Sequence, residues 1–260
     1  MTRVAIAGAR GRMGRLACEA VRNASGLDYA GGFAREPLAD EWIYGDLARL
    51  FDERAPEVVV DFTTHPKTLE VARLALDRGI SPVIGSSAWS PQEREELAAR
   101  AARSGVGAML VPNFAIGAVL MMRFAQEAAR YFPSAEIVEM HREEKLDKPS
   151  GTARETATRI RAGGGPPDVP IHSVRLRGLL AHQEILFGNT GELLTIRHDS
   201  FSHESFAAGI VFAARHVRSL HGLTVGLDAA LRQAQGDSDG DAAVRPVDKL
   251  GAGFARGDGE

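Results

Sequence analysis

The sequence predicts an α/β protein: a Rossmann-type parallel doubly wound sheet, then a second α+β domain with a mixed, largely antiparallel sheet. Three observations carry this. A short apolar run over residues 3–7 leads into the glycine loop Gly8-Ala9-Arg10-Gly11-Arg12-Met13-Gly14. Strand-like runs then alternate with helical segments as far as Val111. Beyond Asn113 come several strand-like stretches joined by tight turns such as Gly188-Asn189-Thr190-Gly191. Residues 1–112 with about 206–234 are expected to form a dinucleotide-binding domain, residues 113–205 a substrate-binding and oligomerisation domain, and residues 235–260 a flexible tail.

A strand, a glycine-rich turn and a helix to about Asn23 form the context that a dinucleotide fingerprint requires. Glycines permit the tight turn and let backbone N–H groups approach a pyrophosphate at the helix N-terminus. The spacing is G-x-x-G-x-x-G, with Arg10 where the usual fingerprint has glycine, so the loop alone also suits a simple turn. A second strand over residues 27–33 leads into Ala34-Arg35. NAD-selective folds place an acid there for the ribose hydroxyls. Here a guanidinium stands instead, able to fork onto a 2′-phosphate, with Arg12 to assist. NADPH is the expected cofactor and NADH the alternative.

Strands over residues 56–62, 81–84 and 106–111 alternate with helices, the first running to Arg78 and the second covering residues 91–103. Ligands of such sheets collect beyond the carboxyl ends of the strands. Gly85-Ser86-Ser87 and Pro112-Asn113-Phe114 stand at two such ends, as nicotinamide-lining residues or as ordinary connecting turns. A helix over residues 113–131 follows, then strands at 135–140, 172–176, 182–187 and 193–198, with one helix over 150–162. Residues 202–220 read as one long helix, and residues 224–231 as an element returning to the first domain.

At 260 residues, with 44% hydrophobic and 25% charged residues, the composition is that of an ordinary globular protein. A formal charge of −3 lacks the basic excess of a nucleic-acid surface. No apolar run approaches the ~20 residues of a membrane span, and no signal-peptide pattern precedes the first strand. The single cysteine, Cys18, cannot form an internal disulfide, which fits a reducing cytosol. The expectation is a cytoplasmic protein with no nucleic-acid or membrane partner. His198 and His203 flank residues 199–202, but no third partner has metal-ligand spacing, so no metal is expected. His172, His182, His216 and His221 read as surface or strand-edge residues.

The richest stretch is Glu139-Met140-His141-Arg142-Glu143-Glu144-Lys145-Leu146-Asp147-Lys148-Pro149-Ser150-Gly151-Thr152-Ala153. It reads as a strand end, a charged loop and a helix start, with Thr152-Ala153-Arg154-Glu155 as a capping box. A helix start beside a glycine offers free N–H groups and a positive dipole end to an anion. His141 and Lys145 stand just upstream as possible proton donors. The same features occur in capped helices without any catalytic role.

This stretch resembles the motif E-x-H-H-x-x-K-x-D-A-P-S-G-T-A of the 4-hydroxy-tetrahydrodipicolinate (dihydrodipicolinate) reductase family. Further matches are the glycine loop, Val59-Val60-Asp61-Phe62-Thr63, Val83-Ile84-Gly85-Ser86-Ser87 and Pro112-Asn113-Phe114-Ala115-Ile116-Gly117, covering residues 1 to about 232 in family order. The resemblance implies hydride transfer from NAD(P)H to a cyclic dicarboxylate in the diaminopimelate route to lysine, usually by a homotetramer joined through the second sheet. It implies a catalytic pair at His141 and Lys145, and substrate binding by Gly151 and Thr152. Cofactor contacts are implied at Gly8, Ala9, Arg10, Gly11, Arg12, Met13, Arg35, Phe62, Gly85, Ser86, Ser87, Val111, Pro112, Asn113 and Phe114.

The chain departs from the family pattern at Arg142 for the second His, Lys148 for Ala, and His203 for a common Arg. Arg142 facing the substrate would still hold a carboxylate. Two rivals compete: a sugar-type dehydrogenase of the same layout, which would carry Lys-Pro where this chain has Pro112-Asn113, and a dinucleotide sensor without catalysis. Both His141 and Lys145 being present weighs against the sensor.

Overall fold

The structure, a computed structural model, describes residues 1–86 and 89–234. Its first sheet contains β1 (Thr2–Ala7), β2 (Leu27–Phe33), β3 (Ile43–Tyr44), β4 (Val58–Asp61), β5 (Ser81–Ile84), β6 (Ala108–Leu110) and, from the far end of the chain, β11 (Leu223–Val225). The seven strands lie in the order β11-β6-β5-β4-β1-β2-β3, all in parallel pairs. Helices α1 (Arg12–Asn23), α2 (Leu47–Arg54), α3 (Lys67–Asp77) and α4 (Pro91–Ser104) connect them. Because both faces are covered, the strands are apolar throughout: Val4 and Ile6 pack with Ala17 and Val21 of α1, while Ala5 and Ala7 pack with Leu50, Phe51 and Val71 of α2 and α3. Strand order reverses between β1 and β4, where Ala7 is in register with Asp61. A crevice opens at that switch point.

The second sheet contains β7 (Ser134–His141), β8 (Ile171–Arg175), β9 (Ala181–Asn189) and β10 (Glu192–Ser200), in the order β10-β9-β7-β8. Only β7–β8 is parallel. Helices α5 (Ile116–Ala128) and α6 (Gly151–Ala162) cover one face, burying Ala135, Ile137, Ile185 and Phe187 against Ala125, Ala157 and Ile160. On the opposite face Val138, Met140, Glu184 and Leu186 stay partly exposed. The chain returns through α7 (Ala207–His216) and β11 to α8 (Asp228–Ala234). Arg159 of α6 pairs with the buried Asp228, tying the last helix to the second domain.

Several expectations need correcting. Residues 202–220 are not one helix: His203–Phe206 and Val217–Ser219 are 3₁₀ turns around α7. The Ser205 hydroxyl bonds to Ser200 Oγ at 3.2 Å and to the Ser202 carbonyl at 2.9 Å, competing with α-helical bonding. The helix after Asn113 starts only at Ile116, because Asn113 Oδ1 accepts from the Ala115 N–H at 2.9 Å. His182 is not a surface residue: β9 is an inner strand, and the ring is buried against Asp199 at 2.7 Å. The elements β3 and α2 had no counterpart in the sequence reading. The expected tail, residues 235–260, lies outside the described residues.

At the start of α1 the sequence constraint is steric. A Cβ on Gly14 would come within 2.0 Å of the Gly8 carbonyl oxygen, and Gly8 itself has φ +78. Gly14→Ala is therefore expected to destabilise the protein by about 1–3 kcal/mol, as overpacked sites do. Urea unfolding would show it; an unchanged midpoint would contradict this packing.

Candidate active site

One wall of the crevice is the glycine loop. The N–H groups of Gly8 and Ala9 bond to the Phe33 carbonyl at 2.9 and 3.0 Å, and that of Gly11 bonds to the Gly8 carbonyl at 2.9 Å. These groups shape the loop. The N–H groups of Arg12, Met13 and Gly14, in the first turn of α1, have no carbonyl within the helix to bond and are open to an anion. Close approach at Gly8 and Gly14 and an uncapped helix start fit a dinucleotide pyrophosphate. Arg10 pairs with Glu36 at 2.6 Å, and Arg35 is exposed just beyond β2.

The crevice floor is aromatic. The Phe62 and Phe114 rings lie 5.3 Å apart. A Cβ on Gly85 would meet the Phe62 ring at 2.7 Å, so the ring rests on bare backbone. Trp89 Nε1 donates to Ser86 Oγ at 2.9 Å, Ser86 to Thr68 at 3.3 Å, and Thr68 to the buried Asp61 at 2.5 Å. Burial pushes the Asp61 carboxyl up from its ordinary value, against the hydrogen bonds it accepts from Thr68 and from the Thr63 N–H. Ser87 lies outside the described residues. Val111 is buried behind the floor and Pro112 is exposed. Asn113 Nδ2 then reaches Thr152 Oγ1 at 3.4 Å, joining the end of the first sheet to the first turn of α6.

The opposite wall comes from β7 and α6. Ser150, not Thr152, is the N-cap of α6: it is extended, and its hydroxyl accepts from the Ala153 N–H at 3.1 Å. Glu155 pairs with Arg159 at 2.9 Å, so the expected capping box does not form. This shift leaves Gly151 and Thr152 as the first two helical residues, with N–H groups lacking an intrahelical acceptor. Space in front of Gly151 is open, since an added Cβ would meet nothing within 4 Å.

His141 Nδ1 lies 2.5 Å from Glu139 Oε2. Glu139 is fully buried and receives both arms of Arg175 at 2.9 and 2.8 Å, and the Ser150 N–H at 3.3 Å. Burial opposes the Glu139 charge, yet the Arg175 fork, the Ser173 side chain and His141 hold its carboxyl below the usual range. Arg175 also donates to the carbonyls of Lys145 at 3.2 Å and Asp147 at 2.7 Å. Lys145 Nζ donates to Asp147 Oδ1 at 2.7 Å. His141, Thr152, Asn113 and Gln183 share a cavity of about 50 Å³, into which His198 and Ser200 also project. Arg142 is exposed. Among the described residues, no group of three or more His, Cys, Asp or Glu could hold a metal ion.

Glu139, Arg175, Asp147 and Ser150 were not singled out from the sequence. One signal was available: Ala135, Ile137, Glu139 and His141 fall on the inward face of β7, where a carboxylate demands a partner.

The histidines give a pH prediction. Burial pushes the His141, His198 and His203 pKa values down, helped by Lys145 and Arg175 beside His141 and by Arg12 and Arg142 near His203. Unfolded, these rings take up protons near pH ~6.5; folded, they do so only at lower pH. Their contribution to stability is thus fully present above about pH 6.5 and falls as pH drops below it. Urea unfolding at about pH 8 and about pH 5.5 should show a lower midpoint at the acid value; a flat profile would contradict the burial.

Comparison with known proteins agrees with this geometry. The family model for the dihydrodipicolinate reductase N-terminus matches residues 2–114, and that for its C-terminus matches residues 117–231. The 4-hydroxy-tetrahydrodipicolinate reductase of Geobacillus kaustophilus is 42% identical over 261 residues, covering 88% of this chain and 98% of the relative. That of Nocardia farcinica is 43% identical over 252 residues, with coverage of 88% and 98%. A solved dipicolinate-bound dihydrodipicolinate reductase from Paenisporosarcina superposes with a TM-score of 0.80 at 37% identity, covering 88% of this chain and 99% of that one. With both halves matched in order and the match extending through the crevice, the chain belongs to the dihydrodipicolinate reductase family.

Proposed function

We propose that the chain reduces 4-hydroxy-tetrahydrodipicolinate to tetrahydrodipicolinate with NADPH, NADH serving as the alternative donor, in the diaminopimelate route to lysine. The observation that carries this reading is the 3.4 Å contact between Asn113 and Thr152, which brings the carboxyl end of the first sheet against the anion-binding turn of α6. A ligand on that turn lies beside whatever occupies the floor of Gly85, Phe62 and Phe114. Bound at the glycine loop and over that floor, a reduced nicotinamide supplies the hydride.

The chain's own residues do the rest. The Gly151 and Thr152 N–H groups bind one substrate carboxylate, and exposed Arg142 is the candidate for the other. The 4-hydroxyl leaves as water, which opens the conjugated ring to hydride; Lys145, with three ammonium protons of which one is engaged by Asp147, delivers another to the enamine that hydride addition leaves. His141 is its partner at the cavity wall. Beyond β2, Arg35 meets a 2′-phosphate, which sets the preference for NADPH. The sheet face bearing Val138, Met140 and Leu186 is the surface for a homotetramer. The buried thiol of Cys18 fits a reducing cytoplasm. Among the described residues, no helix is long and apolar enough to cross a membrane.

Mixing the protein with NADPH and enzymatically generated substrate should abolish the near-ultraviolet absorbance of the reduced nicotinamide; a flat trace would favour a sensor. Lys145→Ala should lower kcat about 10²–10⁴-fold while leaving NADPH affinity intact, and full turnover would remove Lys145 from its role. Gly151→Ala should raise the KM of the dicarboxylate without changing stability, because the new methyl meets only the ligand's space. Arg35→Ala should raise the KM for NADPH more than that for NADH; equal effects would sink the 2′-phosphate assignment.

A further inference from the structure

Glu139, fully buried, and Arg175, with 5% of its side chain exposed, form a charge pair outside the residues that would touch substrate or cofactor. Such pairs rarely add net stability over apolar packing of the same volume. Apart from the Ser173 side chain on Glu139 and the Val174 carbonyl under Arg175, both within β8, their hydrogen bonds lead to the site. Glu139 accepts from His141, from the backbone of the α6 cap residue Ser150, and twice from Arg175. Arg175 passes on to the carbonyls of Lys145 and Asp147, in the loop carrying the proton-donating ammonium.

An ionised carboxylate can only accept, so the proton on the 2.5 Å contact belongs to His141 Nδ1. In the neutral ring Nε2 is then bare and acts as an acceptor.

We propose that Glu139, locked by Arg175, is a positioning residue that fixes His141 as the Nδ1–H tautomer, while Arg175 holds the Lys145 turn in register with it. The proposal rests on the reductase reading and assigns its proton step. A Lys145 Nζ–H bond breaks, the enamine electron pair forms the new C–H bond, and neutral Lys145 recovers its proton from solvent. His141 accepts and orients; it does not donate. Burial and the neighbouring cations, which keep the imidazole neutral, point the same way.

The test is nitrogen NMR on the full ligand-free chain with labelled histidine, alongside kinetics. Wild type should show a protonated Nδ1 and a bare Nε2 at His141. In Glu139→Gln, the amide oxygen stays on Ser150 and one Arg175 arm, so the amide NH₂ faces the ring and the tautomer should invert. kcat should then fall about 10²–10⁴-fold, as when an orienting carboxylate becomes an amide, with NADPH affinity unchanged. An Nδ1–H tautomer surviving in this variant, or kcat kept within about threefold of wild type, would overturn the proposal. Should that variant fail to fold, Arg175→Lys decides. A lysine keeps the charge but cannot fork onto Glu139 and reach two carbonyls at once. The tautomer should stay and kcat should fall at least about tenfold; unchanged kcat would overturn the proposal. A wild-type chain inactive on this substrate would sink the reductase reading, leaving the tautomer measurement to judge Glu139.

Discussion

A single carboxylate, Glu139, organises the second half of the crevice. It sits on the inward face of β7 with no solvent contact, where an unpaired charge would cost several kcal/mol. Its partners come from three elements: Arg175 at the end of β8, His141 on its own strand, and the Ser150 N–H at the start of α6. Satisfying one buried charge therefore fixes the strand register, the helix start and the imidazole together. The parallel pairing of β7 with β8, the only parallel pair in that sheet, is what sets His141 opposite Arg175.

The first half is organised by backbone approach. Gly8 and Gly14 allow the loop and α1 to close on each other, and Gly85 lets the Phe62 ring lie against the end of β5. These contacts keep side chains out of the space beyond the strand ends, where a doubly wound sheet binds its ligands. The two halves meet where Asn113 both holds the turn that leads into α5 and reaches Thr152. One residue thus couples the turn leaving the first sheet to the first turn of α6 in the second domain.

Much of this was legible in the sequence because it depends on local rules. The glycine loop, the alternation of strands and helices, and the strand–loop–helix run from Glu139 to Ala153 are set by neighbours in the chain. What was not legible depends on distant partners. Arg175 lies 36 residues from Glu139, and only the β7–β8 register reveals the pair. The cap of α6 was misplaced by two residues because Ser150 and Thr152 carry equivalent hydroxyls; the contact from Asn113, 39 residues away from Thr152, distinguishes them. Similarly, His182 looked like an edge residue until β10 supplied Asp199 across the sheet.

In the proposed reaction, reduced cofactor and dicarboxylate meet face to face in this one crevice, and hydride passes between them without an intermediary. NADPH deuterated at the transferring position of its nicotinamide tests this. Direct transfer predicts one deuterium bonded to a ring carbon of tetrahydrodipicolinate, retained in ordinary water. Product free of deuterium, with the label lost to solvent or left on the cofactor, would rule out direct transfer.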